Sequence, residues 1–124
     1  MQRLYKYLIL LIFSIKIGAQ SDTLTIQKLM DEAYTLELSH PNKALSIYKK
    51  TQVLSFKAKY KIGVYKSLLY SGLVYVGVGN YDSAQYYYTK TIEYSKKEKI
   101  LIGVGKGYVN MANMYQFKGD YANA

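Results

Sequence analysis

The chain contains no cysteine, one proline and one histidine. Without cysteine it can form neither a disulfide nor a thiolate metal site, and one histidine is too few for an ordinary zinc or haem site. Only eight of the 124 residues are acidic. Serine, histidine and carboxylate residues do not occur in the spacing of a nucleophile elbow or of a metal-binding helix. We therefore expect no enzymatic activity, no metal and no cofactor, and a fold that is held together by packing.

The scarcity of acidic residues gives the chain a net charge of +9. Three basic residues lie in the first twenty, and the remaining chain has 14 basic and 8 acidic residues, a net charge of +6. Two lysine clusters stand out, at Lys57, Lys59 and Lys61 and at Lys96, Lys97 and Lys99. A solvated turn between helices and favourable charges at helix C-termini account for both. Outside the cytoplasm, such a balance favours acidic partners or anionic envelope polymers over nucleic acid.

The first twenty residues have the layout of a secretory signal peptide. Basic residues precede an apolar block over 8–15, and the small residues Gly18 and Ala19 follow it. The block is about half of the roughly 20 apolar residues that span a bilayer as a helix. We predict that 1–20 is a signal peptide cleaved after Ala19 or Gln20, and that the remainder is exported, periplasmic or extracytoplasmic. An uncleaved anchor and an amphipathic start that stays in the cytoplasm are the alternatives.

The sequence repeats itself at an interval of forty residues, and such a period sets the architecture of a protein. A shift by forty aligns Ala44 with Ala84, Tyr48 with Tyr88, the IGV of 62–64 with that of 102–104, and GNYDSA of 79–84 with GDYANA of 119–124. Within each unit, apolar residues recur at helical rather than alternating spacing. Each unit is therefore predicted to be a pair of helices.

Turn residues separate these predicted helices. Gly79 is expected to close one helix in a left-handed conformation and Asn80 to cap the next, and 119–120 repeats the arrangement. In the first unit His40 takes the cap position, and Pro41 takes the first helical position, where a missing N–H does no harm. The lone histidine is thus interpreted as a turn residue.

These residues resemble the tetratricopeptide repeat. Its unit has a small residue in helix A, an aromatic residue three later, a Gly-Asp/Asn-Tyr turn, a small residue in helix B and an aromatic residue four later. The second unit matches at Gly72, Tyr75, Gly79-Asn80-Tyr81, Ala84 and Tyr88, and the third at Ala112, Tyr115, Gly119-Asp120-Tyr121 and Ala124. The first unit, with a turn one residue shorter, matches at Ala33, Leu36, Ala44 and Tyr48. Small residues on facing helices, such as Gly72 and Ala84, are expected to let the backbones approach closely.

The resemblance implies an all-α fold, a right-handed α-solenoid of stacked helix-turn-helix hairpins over 21–124. Its units are about 24–58, 59–98 and 99–124, the last being incomplete. The sequence departs from the family at Thr51 and Thr91, where alanine is usual, and at Phe56 and Lys96, where proline is usual. The period of forty resembles a longer variant of the repeat, as in exported N-terminal regions of bacterial sensor and regulator proteins.

The third unit lacks most of its second helix, so the face of its first helix, predicted over about 100–117, has no partner. That face carries Val109, Ala112 and Tyr115, and an uncovered apolar face is prone to associate. We expect the natural product to continue beyond Ala124. The alternatives are that another chain covers this face or that the gene is truncated. The chain alone is expected to be marginally stable and partly associated.

Positions i, i+4 and i+7 of helix A share one face, and the resemblance implies that this face lines a peptide-binding groove. The residues concerned are Lys66, Tyr70 and Leu73 in the second unit and Lys106, Asn110 and Asn113 in the third. Asn110 and Asn113, with a lysine one turn earlier, could hold the backbone or terminal carboxylate of an extended peptide. The alternative is that these are ordinary solvated residues of a helix.

Three functions agree with these observations. The first is an exported module that binds a protein or peptide, as the extracytoplasmic part of a larger signal-transduction protein, with membrane contact only through a C-terminal part outside this sequence. The second is a complete small periplasmic adaptor that self-associates through its third unit. The third is a charge-driven binder of envelope polymers, whose contacts should fade near 1 M salt. No nucleic-acid partner is expected.

Overall fold

Helices joined by short turns make up the described part of the chain. The computed structural model describes residues 1–120 and 123–124. Its helices are α1 (Gln2–Leu36), α2 (Pro41–Lys57), α3 (Lys61–Gly77), α4 (Tyr81–Lys97) and α5 (Leu101–Lys118). No strand occurs among the described residues, which confirms the predicted all-α class.

Turns with a left-handed residue recur every twenty residues. The residues of positive φ are Lys59 (55°), Gly79 (76°), Lys99 (58°) and Gly119 (81°). After each of them the next N–H returns to a carbonyl five residues back, as from Asn80 to Tyr75 (2.9 Å) and from Ile100 to Ser95 (2.8 Å). This is the Schellman closure of a helix C-terminus. The two glycines have the expected conformation, and the two lysines adopt it without the freedom of glycine.

The helix N-termini are capped in different ways. The Asn80 side-chain oxygen accepts a hydrogen bond from the Ser83 N–H at 3.1 Å, as expected for an N-cap. His40 occupies the cap position before Pro41, but its ring contacts the Ser39 hydroxyl at 2.9 Å instead of capping the helix. The helix that Asp120 was expected to cap would begin at 121–122, outside the described residues.

Consecutive helices pack antiparallel, because the three-residue turns between α2, α3, α4 and α5 leave no room for another arrangement. In addition, α1 contacts α3 and α3 contacts α5. Between α2 and α4 no such contact occurs in the described part of the chain. The odd-numbered helices therefore lie closer to one another than the even-numbered helices do.

Two small core clusters hold the helices together, and they are related by the forty-residue repeat. The first consists of Ala33, Ala44, Tyr48 and Val74, and the second of Leu69, Ala84, Tyr88 and Met114. Tyr48 and Tyr88 are 0% and 1% exposed. Truncation of a buried aromatic side chain of this size typically costs about 3–5 kcal/mol, so these tyrosines are major contributors to stability.

Four glycines in α3 and α5 leave room for side chains of the preceding or following helix: Gly63, Gly72, Gly103 and Gly107. A Cβ on Gly72 would lie 2.5 Å from the ring of Tyr88. The expectation that Gly72 brings two backbones together is thus corrected, because the space is occupied by an aromatic ring. A Cβ on Gly63 or Gly103 would collide with the hydroxyl of Ser55 or Ser95, respectively. This close approach explains why Ile-Gly-Val recurs at the start of both helices.

Thr51 fills a position where tetratricopeptide repeats usually have alanine. Its hydroxyl is fully buried and lies 2.9 Å from the Tyr48 carbonyl and 2.7 Å from the Ser67 hydroxyl, to one of which it donates. The hydroxyl of Ser67 is also 2.7 Å from the Gly63 carbonyl, to which it donates. Since these polar groups are paired, a threonine is accommodated between α2 and α3 without an orphaned hydroxyl.

The N-terminal half of α1 makes little contribution to the core. Apolar side chains such as Leu8 (57%), Leu11 (61%) and Phe13 (65%) are largely exposed, whereas the first side chain described as buried is Ile26 (1%). The predicted end of the signal peptide at residue 20 falls inside this helix, which continues without a break. None of the helices in the described ranges is both long and apolar enough to cross a membrane.

The exposed side of α5 carries the face that was expected to lack a partner. Val109 is 59% exposed, and Ala112 and Tyr115 are half-buried. Phe117, at 72%, extends the exposed apolar surface toward the end of the helix. Residues 103–107, the GVGKG stretch, lie within α5, so these glycines form no phosphate-binding loop.

Candidate functional site

The predicted groove residues of α3 border a cavity between α1 and α3. Lys66 and Tyr70 line this cavity, whose volume is about 140 Å³. Leu73, one turn further along α3, is 37% exposed and lies outside the cavity. The predicted spacing of i, i+4 and i+7 therefore places two of the three α3 residues at one site.

The other wall of the cavity comes from α1, and sequence reasoning did not name its residues. Gln27, Asp31 and Tyr34 line it together with Met30 and with Tyr60 from the turn before α3. A signal for them was present. Because the first turn is one residue shorter, a shift of thirty-nine instead of forty relates Lys66, Tyr70 and Leu73 to Gln27, Asp31 and Tyr34. We call the nine residues at these positions of α1, α3 and α5 the odd-helix face.

Tyr70 is fixed in place by the core. Its ring lies 5.7 Å from the ring of Tyr48, tilted by 50°, and it packs against both core clusters. Pairs of this kind stabilise beyond the area they bury, by about 0.5–1.5 kcal/mol. Tyr70 therefore serves as a core residue on one side and as a wall of the cavity on the other.

The groups around the cavity are of mixed polarity and charge. Lys66 and Asp31 bring opposite charges to it. The side-chain amide of Gln27 lies 3.5 Å from the hydroxyl of Tyr60. An ammonium, a carboxylate, an amide and phenol hydroxyls together offer donors and acceptors, which is what the backbone of an extended peptide requires.

The predicted residues of α5 lie apart from this cavity. Lys106 and Asn113 are exposed, and Asn110 is half-buried. The Asn110 amide nitrogen donates to the Lys106 carbonyl at 2.8 Å. That bond holds the asparagine against its own helix and leaves its carbonyl oxygen and second amide N–H as its remaining hydrogen-bonding groups. The structure thus brings Lys66 and Tyr70 together with α1 and leaves the three α5 residues as a separate polar strip.

A partly buried polar pair lies beside the first core cluster. The Tyr48 hydroxyl donates to the carboxylate of Glu37. Burial raises the pKa of Glu37, and the hydrogen bond from Tyr48 partly offsets that rise. Burial, followed by the hydrogen bond and charge of Glu37, raises the pKa of Tyr48 well above its usual range. The pair ties the end of α1 to α2 and is a structural contact, because both groups are engaged with each other.

In the described ranges, no group of three or more histidine, cysteine, aspartate or glutamate side chains could hold a metal ion. Comparisons of the chain with protein-family models, with curated proteins and with solved structures found no match. Function is therefore inferred from the odd-helix face and from the repeat itself.

Proposed function

We propose that the protein is an exported interaction module of the tetratricopeptide type, a right-handed stack of hairpins that binds an extended peptide along the odd-helix face. One observation carries the proposal. Residues at equivalent positions of two successive units, Lys66 and Tyr70 on α3 and Gln27 and Asp31 on α1, line a single cavity. A peptide lying across successive odd helices would meet the same positions in each unit.

The packing of the helices supports a curved stack. Because the odd helices contact one another and α2 and α4 do not, a stack built this way is concave on the odd-helix side. Solenoids of helix pairs bind ligands on such concave surfaces. The cavity of about 140 Å³ is smaller than the roughly 300–1,000 Å³ of small-molecule sites. Its size therefore favours a single side chain of a longer ligand over a complete small molecule.

Export is supported by the N-terminal part of α1. The apolar side chains described there, from Leu4 to Ile15, are exposed and belong to neither core cluster. Cleavage near residue 20 would remove this apolar surface while leaving Ile26 and the core in place. The further proposal that the module is the extracytoplasmic part of a larger signal-transduction protein rests on the resemblance to the long variant of the repeat.

The experiment is a selection of peptides from a random displayed library on the purified chain, followed by binding measurements with one labelled peptide. We expect the double variant Asp31→Ala/Lys66→Ala to bind about tenfold more weakly, equivalent to about 1.4 kcal/mol. The variant Asn110→Ala/Asn113→Ala tests the α5 strip in the same way. The matched control is Asp82→Ala/Lys50→Ala, which removes the same two charges from α4 and α2.

Selected peptides that bind all of these variants equally well would contradict the proposal. Salt separates it from charge-driven polymer binding. Contacts between exposed charges are screened over about 3 Å at 1 M salt, whereas contacts with Tyr70 and Tyr34 should persist. Loss of all binding at that salt concentration would favour the polymer instead.

Self-association through α5 is a second candidate function. It is favoured by the exposure of Val109 (59%) and Phe117 (72%) on one helix. A pair of such faces would bury apolar surface in a symmetric dimer. Sedimentation of the chain and of its variant Val109→Asp/Phe117→Asp tests whether α5 mediates self-association.

A further inference from the structure

A second and larger cavity lies on the opposite side of the molecule, where α2 and α4 diverge above α3. Its volume is about 460 Å³. Its lining consists of Lys49, Gln52 and Phe56 from α2, Val64 and Leu68 from α3, and Tyr86, Tyr87, Lys90, Glu93, Tyr94 and Lys97 from α4. We call it the even-helix groove. It is independent of the odd-helix face, since Val64 and Leu68 are each two residues, or about 200° around the helix, from Lys66 and Tyr70.

Aromatic rings form the walls of this groove, and neighbouring rings hold them in place. Phe56 is 71% and Tyr86 57% exposed. Tyr86 meets Tyr87 edge to face at 5.2 Å with an interplanar angle of 88°. Tyr87 in turn stacks on Tyr75 at 5.4 Å. A wall supported by two ring contacts loses little conformational entropy when a ligand binds to it.

The rim of the groove is positively charged. Lys49 stands on α2, Lys90 and Lys97 stand on α4, and one carboxylate, that of Glu93, is present among the lining residues. Glu93 lies 3.4 Å from the ammonium group of Lys90, which also lies 5.6 Å from the centre of the Tyr86 ring. Lys49 and Lys97 thus carry the charge excess, one on each side of the apolar floor.

We propose that the even-helix groove binds an acidic peptide segment that carries an aromatic or long aliphatic side chain beside its carboxylates. The apolar side chain enters between Phe56 and Tyr86 above the floor of Val64 and Leu68. The carboxylates meet the lysines on the two rims. The charge is complementary, since the whole chain carries +9.

The arrangement of the rings favours a peptide over an acidic polysaccharide. Because Tyr86 and Tyr87 meet at 88°, they present an edge and a face instead of a flat platform. An inserted side chain fits between such rings, and aromatic pairs prefer this edge-to-face geometry. A sugar ring stacks on the face of a single aromatic ring and gains nothing from the neighbouring edge.

The experiment uses the full chain in a neutral detergent and measures fluorescence anisotropy with three labelled probes of equal length. The probes are a glutamate-rich random copolymer of glutamate and tyrosine, polyglutamate, and polygalacturonate. We expect the copolymer to bind about tenfold more tightly than either other probe, a difference of about 1.4 kcal/mol. Equal binding of polyglutamate would show that charge alone acts, and equal binding of polygalacturonate would show a polysaccharide site. Either result overturns the proposal.

Variants locate the binding. Phe56→Ala and Tyr86→Ala change exposed side chains, and each should weaken copolymer binding severalfold. Lys49→Glu should weaken it as well, whereas its neighbour Lys50, which does not line the groove, provides the matched control Lys50→Glu. An equal loss in both lysine variants overturns the proposal. Asp31→Ala/Lys66→Ala, which tests the odd-helix face, should leave copolymer binding unchanged. The experiments can therefore refute one of the two proposed binding sites without refuting the other.

Discussion

At the scale of single residues, two of the turns hold a lysine in the left-handed backbone conformation, which residues with a side chain rarely adopt. Gly79 and Gly119 were predicted to be left-handed because glycine adopts that conformation without steric cost. Lys59 and Lys99 have the same conformation, with φ of 55° and 58°. A lysine gives no local signal for this conformation. The two glycines, which are forty residues apart, mark only every second turn of the twenty-residue series.

Replacing Lys99 by glycine should therefore stabilise the protein. A left-handed residue with a side chain costs about 1–2 kcal/mol, part of which is regained when glycine replaces it. We expect a gain of about 1 kcal/mol in the free energy of unfolding, measured by urea titration, and the same for Lys59→Gly. The matched control is Lys50→Gly, where the same substitution in the interior of α2 should lower stability by about 1 kcal/mol. If all three variants shift stability in the same direction, backbone strain at the turns is not the cause.

The two buried tyrosines should make the protein sensitive to alkali. Burial raises the pKa values of Tyr48 and Tyr88 well above their usual range. In the unfolded chain a tyrosine loses its proton near pH 10. Above that pH the unfolded state binds fewer protons than the folded state, so each buried tyrosine lowers stability by about 1.4 kcal/mol per pH unit.

Urea titrations between pH 9 and pH 11.5 measure this slope. Tyr88→Phe and Tyr48→Phe should each make the decline less steep. Tyr108→Phe is the control, because Tyr108 is 50% exposed and lies outside both core clusters. If neither Tyr48→Phe nor Tyr88→Phe changes the slope, the two buried tyrosines do not cause the loss of stability at high pH.

At the scale of helices, α1 joins two parts with different roles. The apolar side chains described up to Ile15 are exposed, and the first side chain described as buried is Ile26. We predict that a chain lacking residues 2–20 unfolds at the same temperature as the full chain, measured by circular dichroism. Extending the deletion through Ile26 removes a buried side chain worth about 2–5 kcal/mol. For a domain of this size that would lower the midpoint by roughly 10 °C or more.

A lower midpoint after the shorter deletion would mean that the N-terminal segment belongs to the fold. The cleavage prediction itself is checked separately by mass spectrometry of the exported product. A new N-terminus at Gln20 or Ser21 is expected, and an intact Met1 would contradict it.

The helices themselves followed from the spacing of apolar residues, but the distances between them did not. The recurrence of Ala44 at Ala84 and of Tyr48 at Tyr88 identifies which residues pack, and both tyrosines are buried. That α2 and α4 separate to leave a groove depends on how far each hairpin is rotated against the next. Periodicity carries no information about that rotation. The rings of Tyr86 and Tyr87 line the open wall of that groove.

At the scale of the whole molecule, α5 presents an uncovered apolar face, with Val109 59% and Phe117 72% exposed. We predict that the chain lacking residues 2–20 associates in sedimentation experiments in a concentration-dependent way. Val109→Asp/Phe117→Asp should make it monomeric, because a charge in an apolar interface is costly. Leu38→Asp is the control, since Leu38 is 96% exposed in the turn before α2. A monomeric parent chain would rule out self-association through α5.

The repeat also explains which aspects of function were open to sequence reasoning. The i, i+4, i+7 spacing on helix A predicted one face of Lys66, Tyr70 and Leu73, of which Lys66 and Tyr70 line the cavity and Leu73 does not. Gln27 and Asp31 were missed because the shorter first turn breaks the forty-residue shift. The ligand itself cannot be read from the repeat, since one architecture serves many partners.

Photo-crosslinking of a selected peptide tests the central claim, peptide binding on the odd-helix face, most directly. Benzoylphenylalanine is placed at Tyr34, which lines the cavity and is 67% exposed, or at Tyr108, which lies on another face of α5 and is 50% exposed. Crosslinking from position 34 and little from position 108 is the predicted result. Crosslinking from position 108 alone, or equally from both positions, would contradict the account.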